Sequence, residues 1–383
     1  MTSVHDRRIA VVGAGPGGLT CARVLQMHGH PVTVLERDTS PDARAQGGTL
    51  DLHEDTGQVA LRTAGLLDQF LAVARPEGEE MRMVDAATGE VLLHHQPTPG
   101  APARPEIDRG RLRGLLEASL ADGTVRWGRA VREAIPQDDG TCRLLFADGS
   151  TEDFDLVVGA DGAWSRVRPA VSDATPRYSG VVFVETSLDD CDTRHPAVAR
   201  LLGQGTLMAK APGRVLTAQR NSDGHVRVYL VFRDAPDWHV SAGLDFDDVD
   251  AVRAHMLRLF DDYAENLLAL VREHDGPFVN RPLFALPVPH VWEHVPGITL
   301  LGDAAHLMPP LGLGANLAMV DGAELATALL REATVDDAVR AYESVMLPRS
   351  AEAAKLCGEG LETFVPSDGS IGWTGAPSWD HAR

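Results

Sequence analysis

The chain opens with a short apolar run, IAVV at 9–12, which breaks into GAGPGG. LTCARVLQMHG at 19–29 then carries apolar residues at helical spacing, with Gly29 as a stop. PVTVLER at 31–37 is apolar again. A buried run, a glycine turn, a helical stretch and a second buried run predict a βαβ unit, and with it the start of a parallel sheet. Helical spacing returns over 54–73, which places Leu61, Ala64, Leu67 and Leu71 on one face. MRMVDAATGEVLLHH, within 74–101, reads as a hairpin around a Thr-Gly turn. A helix is expected from about Asp108, with that residue as its N-cap. TVRWGRAVREAI, TCRLLFADGS and TEDFDLVVGADG alternate like meander strands.

The pattern changes over 177–235. GVVFVETSL, GRVLTAQR and HVRVYLVFR alternate apolar with polar, as antiparallel strands with one wet face do. A helical stretch follows at 247–272, where the acidic DFDDVD (245–250) suits a solvated helix start. GITLL at 297–301 returns to the buried style, and helical residues run from about 315 to 363. The expected fold is α/β. A Rossmann-like dinucleotide domain (1–73, 102–171 and 280–364) is interrupted by a β-rich domain (74–101 and 172–279). C-terminal helices follow, then a loosely ordered tail at 365–383.

Composition narrows the functional classes. The 383 residues, 44% hydrophobic, suffice for one large core or two smaller ones. A net charge of -20 with no basic stripe argues against a nucleic-acid partner. No apolar run approaches the roughly 20 residues of a membrane span, and the N-terminus does not read as a secretory signal. Cys21, Cys142, Cys191 and Cys357 are far apart and form no CxxC pair, which fits a reducing compartment rather than a zinc or disulfide scaffold. His94-His95 lacks further ligands at metal spacing and is expected in a surface turn, with no metal site. The expectation is a cytoplasmic protein, a monomer or weak dimer.

Candidate chemistry begins at VVGAGPGG, a GxGxxG turn formed by Gly13, Gly15 and Gly18. Gly13 permits the tight turn, Gly15 admits a pyrophosphate and Gly18 lets helix and strand pack closely. Glu36, followed by Arg37, closes the second strand, where a carboxylate accepts ribose hydroxyls. It would repel a 2′-phosphate, which favours FAD or NAD in this site. LLGDAAHLMPPLGLGAN (300–316) supplies the second piece. Gly302 and Asp303 stand at a strand end, Pro310 stiffens the loop, and a helix N-terminus near Gly314, Ala315 and Asn316 can face the edge of a flavin. A third piece is Asp161-Gly162 with Ser165, Arg166 and Arg168; those arginines suit phosphate or simply a polar turn. His306 fits a core histidine better than a proton carrier.

Three ordered motifs, GxGxxG, the DG segment and the GD segment, resemble the single-component FAD-dependent monooxygenases of the para-hydroxybenzoate hydroxylase type over about residues 7–360. GGTLDLHEDTGQ, RPEIDRGRLRGLL and LGDAAHLMPP look like the tetracycline-inactivating members and their actinobacterial relatives. The resemblance implies FAD, NAD(P)H as transient electron donor, O2, a small organic acceptor and a flavin C4a-hydroperoxide as oxygen donor. It places Arg44, Gly47, Gly48 and Arg109 by the flavin and Asp303 on the cofactor. The loop Pro310–Asn316, with Gly312 and Gly314, is one residue shorter than the family pattern. Where tetracycline-destroying members place glutamine, arginine and histidine, this chain has Glu185, Thr206 and Arg227, which argues against tetracycline as the native substrate. These three, with Met208, Arg220 and Pro310, are the substrate-side candidates; Phe232 and Leu313 fit either a pocket or core packing. A flavin oxidoreductase without oxygen insertion, or a non-catalytic ligand-sequestering flavoprotein, remain the alternatives. A halogenase is disfavoured because no W-x-W-x-I-P segment is present.

Overall fold

Five parallel strands form the first sheet, in the order Ile298–Leu300, Leu156–Gly159, Ile9–Val12, Val32–Leu35, Val125–Arg126. The first three of these in that order are buried at every position, because helices and loops cover both faces and leave no wet side to alternate toward. The computed structural model describes residues 7–44, 46–98 and 103–370. The tail expected beyond 365 lies, from 371, outside the described residues, as do 99–102 of the segment after the hairpin.

Helix Pro16–Met27 packs against helix Leu313–Arg331 through small residues. A methyl group on Gly322 would overlap the Gly17 carbonyl oxygen, so the two helices touch backbone to backbone. Leu313–Arg331 is long and apolar enough, by length and composition, to cross a membrane, a match the apolar-run reading did not anticipate. In this fold it lies in the core against Pro16–Met27. The helix expected over 54–73 is in fact two, Gly57–Thr63 and Leu67–Leu71. Gly65 takes φ +66° and turns the chain between them, so Phe70 is buried and Leu71 is exposed.

The second sheet has seven strands, ordered Val279–Ala285, Arg177–Leu188, Val226–Arg233, Arg214–Arg220, Thr206–Ala211, Met81–Asp85, Val91–His95. Val279–Ala285 pairs with Arg177–Leu188, so this sheet runs past the boundary expected at 279. His94 and His95 lie on its outermost strand rather than in a turn, and His94 meets Glu80 at 2.7 Å. One face of the sheet buries Val182, Val184, Leu216, Val228 and Leu230 under the helices Val249–Leu259 and Glu265–Arg272. The other face meets Gly48 and, through Met208 and Val231, Leu361 and Phe364 of the last helix, Val335–Phe364. A two-stranded ribbon, Thr49–Asp51 with Glu106–Asp108, bridges the two sheets. Asp108 does precede helix Arg109–Ala118, but its carboxylate accepts from Asn221 and Ser222 across the junction instead of capping its own helix.

Candidate active site

The three motif glycines do different work. Gly13 holds φ +109°, and a side chain there would overlap the Ala160 carbonyl oxygen. A methyl on Gly18 would overlap the Gly13 carbonyl oxygen and lie 3.0 Å from Val11. Gly15 has ordinary extended backbone (φ -81°, ψ 172°), and a methyl there would meet no atom within 4 Å. It faces open space before the N-terminus of Pro16–Met27, which has no side-chain cap. Such an end leaves N–H groups free for an anion.

Glu36 is buried beside this turn. Its two oxygens accept N–H groups from Ala14 (2.8 Å) and Asp38 (3.0 Å), and each retains a lone pair. Arg113 lies against it, donating to the carbonyls of Ala14 (3.1 Å) and Pro41 (3.2 Å). One Nη of Arg113 is 4.0 Å from Glu36 and is buried with no hydrogen-bond partner among the described residues. Arg113 was missed by sequence reasoning; its only signal was its place one helical turn after Arg109. Arg37 is exposed at this corner, and Arg44 is exposed and pairs with Asp38 at 2.8 Å.

The GD segment gives the second half. Gly302 (φ +58°) turns the chain from strand Ile298–Leu300 into the four-residue helix Asp303–His306. Asp303 is exposed and its carboxylate has no hydrogen-bond partner among the described residues. It stands 3.8 Å from where a methyl on Gly314 would lie. Gly312 (φ +96°) opens Leu313–Arg331 without a side-chain cap, so an acid and a bare helix N-terminus share one space beside Pro310, Gly314 and Ala315.

Two motif residues serve the protein instead. Asn316, expected among the cofactor contacts, is 1% exposed. Its Oδ1 accepts from the N–H groups of His53 (3.0 Å) and Gly57 (3.1 Å), and its Nδ2 donates to the carbonyls of Asp51 (2.8 Å) and Gly312 (3.1 Å). The side chain is a clamp with both donors engaged. Asp161 likewise closes its own turn, accepting from Ser165 Oγ (2.6 Å) and the Arg166 N–H (2.6 Å), and burial raises its pKa. Arg168 is no phosphate ligand either. It is buried and donates to the carbonyls of Ala304 (2.7 Å), Ala163 (2.9 Å) and Asp303 (3.1 Å), tying the DG turn to the GD turn.

On the second sheet, strand register sorts the substrate-side candidates. One cross-strand row reads Ser187, Arg227, Gln219, Thr206, and the next reads Glu185, Tyr229, Thr217, Met208. Both rows lie on the face that meets Gly48 and the last helix at Leu361 and Phe364. A methyl on Gly48 would come 2.7 Å from the Tyr229 hydroxyl, 3.5 Å from Arg227 and 3.6 Å from Gln219. Glu185 is buried and ion-paired to both Arg227 and Arg281. Arg109 donates its backbone N–H to Gly48 O at 3.0 Å, and its side chain lies by Gly47 without a partner among the described residues. Burial pushes the Tyr229 phenol up to about 12, with Glu185 adding to the rise. Met208 packs with Val231 and Leu361, beside Phe183, Leu311 and Phe364.

Arg220 is a correction. It is one residue out of phase with Gln219, so it points to the opposite face and pairs there with Asp192 (2.8 Å) and the Gly203 carbonyl (2.7 Å). Phe232, by the same alternation, packs on Trp238 with ring centroids 5.1 Å apart. Tyr229 and Gln219 were not foreseen; alternation alone marks the strand but not which face meets Gly48.

The family described as FAD binding domain matches residues 6–240 and 294–356 of this chain. The chain belongs to this FAD-binding family. Its relatives include the monooxygenase penA of Penicillium thymicola, 34% identical over 97% of this chain and 98% of the relative. Another is 3-amino-4-hydroxybenzoate 2-monooxygenase of Streptomyces cremeus, 32% identical over 95% and 89%. The fold also matches Klebsiella pneumoniae HpxO complexed with FAD and uric acid (TM-score 0.80, 22% identity, 94% and 90% covered). It matches tetracycline destructase Tet(55) as well (TM-score 0.74, 22% identity, 95% and 91% covered). The protein is thus an FAD-dependent monooxygenase, and its residues fit that cofactor. The open space at Gly15, the Nη of Arg113 beside Glu36 and the Asp303 carboxylate at a bare helix end, neither group hydrogen-bonded among the described residues, each suit a part of a dinucleotide.

Proposed function

We propose that this FAD-binding monooxygenase hydroxylates an aromatic or polycyclic small molecule held on the open face of the seven-stranded sheet, beside the contact that this face makes with Gly48. NAD(P)H acts as transient electron donor and O2 as co-substrate. The observation that carries this reading is the approach of Gly48, on the cofactor side, to Tyr229, Arg227 and Gln219 of the sheet. Gly48 and Tyr229 bring the two layers to contact distance here, so a flat acceptor lies beside this contact, not across it.

Bound FAD would take two electrons from the nicotinamide and use them to activate O2 for transfer to the acceptor. The chain's residues do the rest. The uncapped N-termini at Gly15 and Gly312 hold negative charge on the cofactor. Asp303 and Glu36 would accept hydrogen bonds from the hydroxyl groups of its sugar portions. Two arginines, Arg227 and Arg281, share one carboxylate, Glu185, which leaves this face net positive in a chain of net charge -20. A phenolate, enolate or carboxylate on the acceptor suits such a face, in keeping with the acidic rings named for two relatives. Met208, Val231, Leu311, Leu361 and Phe364 keep that end dry.

The test is NAD(P)H oxidation in air by the purified protein, with 3-amino-4-hydroxybenzoate, 6-hydroxynicotinate, uric acid and tetracycline as acceptors and mass spectrometry of the products. A product heavier by one oxygen, with stimulated oxidation, supports the reading. Stimulated oxidation that yields only hydrogen peroxide or a desaturated product sinks it.

A further inference from the structure

Asp321 lies in the core helix Leu313–Arg331 and is 1% exposed. None of its partners belongs to that helix. One oxygen accepts the N–H of Gly302 at 3.0 Å and meets His306 Nε2 at 2.6 Å. The other accepts from Arg349 at 2.9 Å. Gly302 and His306 bracket the four-residue helix whose first residue is Asp303. A single turn cannot hold its own geometry, because nucleating a helix fixes several dihedrals for one hydrogen bond. The turn is therefore held from outside, by Arg168 on the Asp303 and Ala304 carbonyls and by Asp321 at both ends.

Arg349 belongs to the last helix, Val335–Phe364, and is fixed by both oxygens of Glu324 at 2.7 Å. That same helix supplies Leu361 and Phe364 to the apolar cluster with Met208 and Val231 on the acceptor side. The buried carboxylate is compensated by Arg349 and by His306, whose imidazole Asp321 holds toward its charged form against the opposing effect of burial.

We propose that Asp321 is a positioning residue for the cofactor. It sets where the Asp303 carboxylate stands, and through Arg349 it makes FAD retention depend on the helix that also lines the acceptor side. This rests on the assignment of FAD to the Gly15–Asp303 space. Asp321→Asn keeps the size of the side chain but turns an amide N–H toward a donor, either His306 or Arg349.

The experiment strips FAD from wild type, Asp321→Asn, Arg349→Gln and Arg349→Lys. It then titrates each apo-protein with FAD by flavin fluorescence, with thermal unfolding of each apo-protein alongside. The expected result is an FAD dissociation constant at least tenfold higher for Asp321→Asn and severalfold higher for Arg349→Gln, with Arg349→Lys largely restored. A purely structural role would lower the unfolding temperature and leave the FAD affinity of the folded protein unchanged. An Asp321→Asn affinity within twofold of wild type overturns the proposal. If that variant does not fold, unchanged affinity in Arg349→Gln overturns it, and weakened affinity supports it. Wild-type apo-protein that takes up no FAD overturns the cofactor assignment itself, which is a separate failure.

Discussion

Gly15 and Gly18 belong to one motif, yet the structure assigns them opposite liabilities. A methyl on Gly15 meets nothing within 4 Å, and its backbone (φ -81°) accepts any L-residue. Gly15→Ala should therefore leave the apo-protein as stable or slightly more so, by about 0.4–1 kcal/mol, through the lower entropy of the unfolded chain. With an unfolding entropy of about 2.1 cal/mol/K per residue, a chain of this length has roughly 0.8 kcal/mol/K, so the midpoint rises by about 1 °C at most. The same methyl enters the space assigned to the pyrophosphate, and FAD affinity should fall more than tenfold, about 1.4 kcal/mol or more. Gly18→Ala meets main-chain atoms of Gly13 and the side chain of Val11. Backbone cannot swing aside, so overpacking costs about 1–3 kcal/mol, partly offset by the roughly 1 kcal/mol that alanine gains over glycine in a helix. The net cost of up to about 2 kcal/mol should lower its apo-protein midpoint by up to about 2.5 °C. The assay is thermal unfolding of the two apo-proteins beside FAD titration. A Gly15→Ala protein that binds FAD like wild type, or that loses stability as Gly18→Ala does, would refute the reasoning.

Asp303→Ala removes a carboxylate that makes no hydrogen bond among the described residues, so apo stability should change by no more than about 0.5 kcal/mol while the purified protein loses its yellow colour; full flavin occupancy would count against the cofactor role. Glu106 is buried near Asp51 and Asp108, and burial pushes its carboxyl up to about 7. The folded protein then keeps a proton that the unfolded chain has released, so stability should fall as pH rises from about 4.5 to about 7, by ~3 kcal/mol at most. Glu106→Gln should flatten that limb in urea unfolding measured at several pH values, and an unchanged slope speaks against it. Arg220→Gln should lower the unfolding midpoint, at a cost of about 1–3 kcal/mol for the lost contacts to Asp192 and Gly203, without altering KM for the acceptor. Arg227→Gln should raise that KM severalfold and also cost stability, because buried Glu185 then keeps Arg281 as its one cationic partner among the described residues, and an effect of Arg220→Gln on KM would reverse the assignment of faces.

The strands of the first sheet were legible because buried parallel strands leave plain apolar runs, as at 9–12 and 297–301. The glycine turn and the GD segment were legible because close backbone approach demands glycine. What failed has physical causes. The helical spacing over 54–73 ran through Gly65, whose left-handed turn splits the helix without disturbing the pattern. Arg220 and Gln219 are neighbours on one strand, and only the packed sheet decides which of them faces Gly48. Asn316 and Asp161 sit where a ligand contact is expected, but their partners at 51–57 and 165–167 are set by the turns of the chain. Arg113 and Asp321 left no motif because each acts on residues distant in sequence, Ala14 and Glu36 for the one, Gly302 and Arg349 for the other.

Arg168 joins residues 161–168 to residues 303–304, and the intervening chain builds most of a seven-stranded sheet with its own core. Synthesis runs from the N-terminus, so a nascent chain completes the glycine turn long before the strand Ile298–Leu300 can reach its neighbour Leu156–Gly159. Until then that neighbour presents an open edge, and the guanidinium of Arg168 has no carbonyls of Ala304 and Asp303 to receive it. The ribosome therefore delivers an early half-site first, then a long excursion, and last the segment that closes the cleft. A truncation before residue 298 should accumulate as colourless chain with the Leu156–Gly159 edge unpaired, the form most prone to associate with other nascent copies.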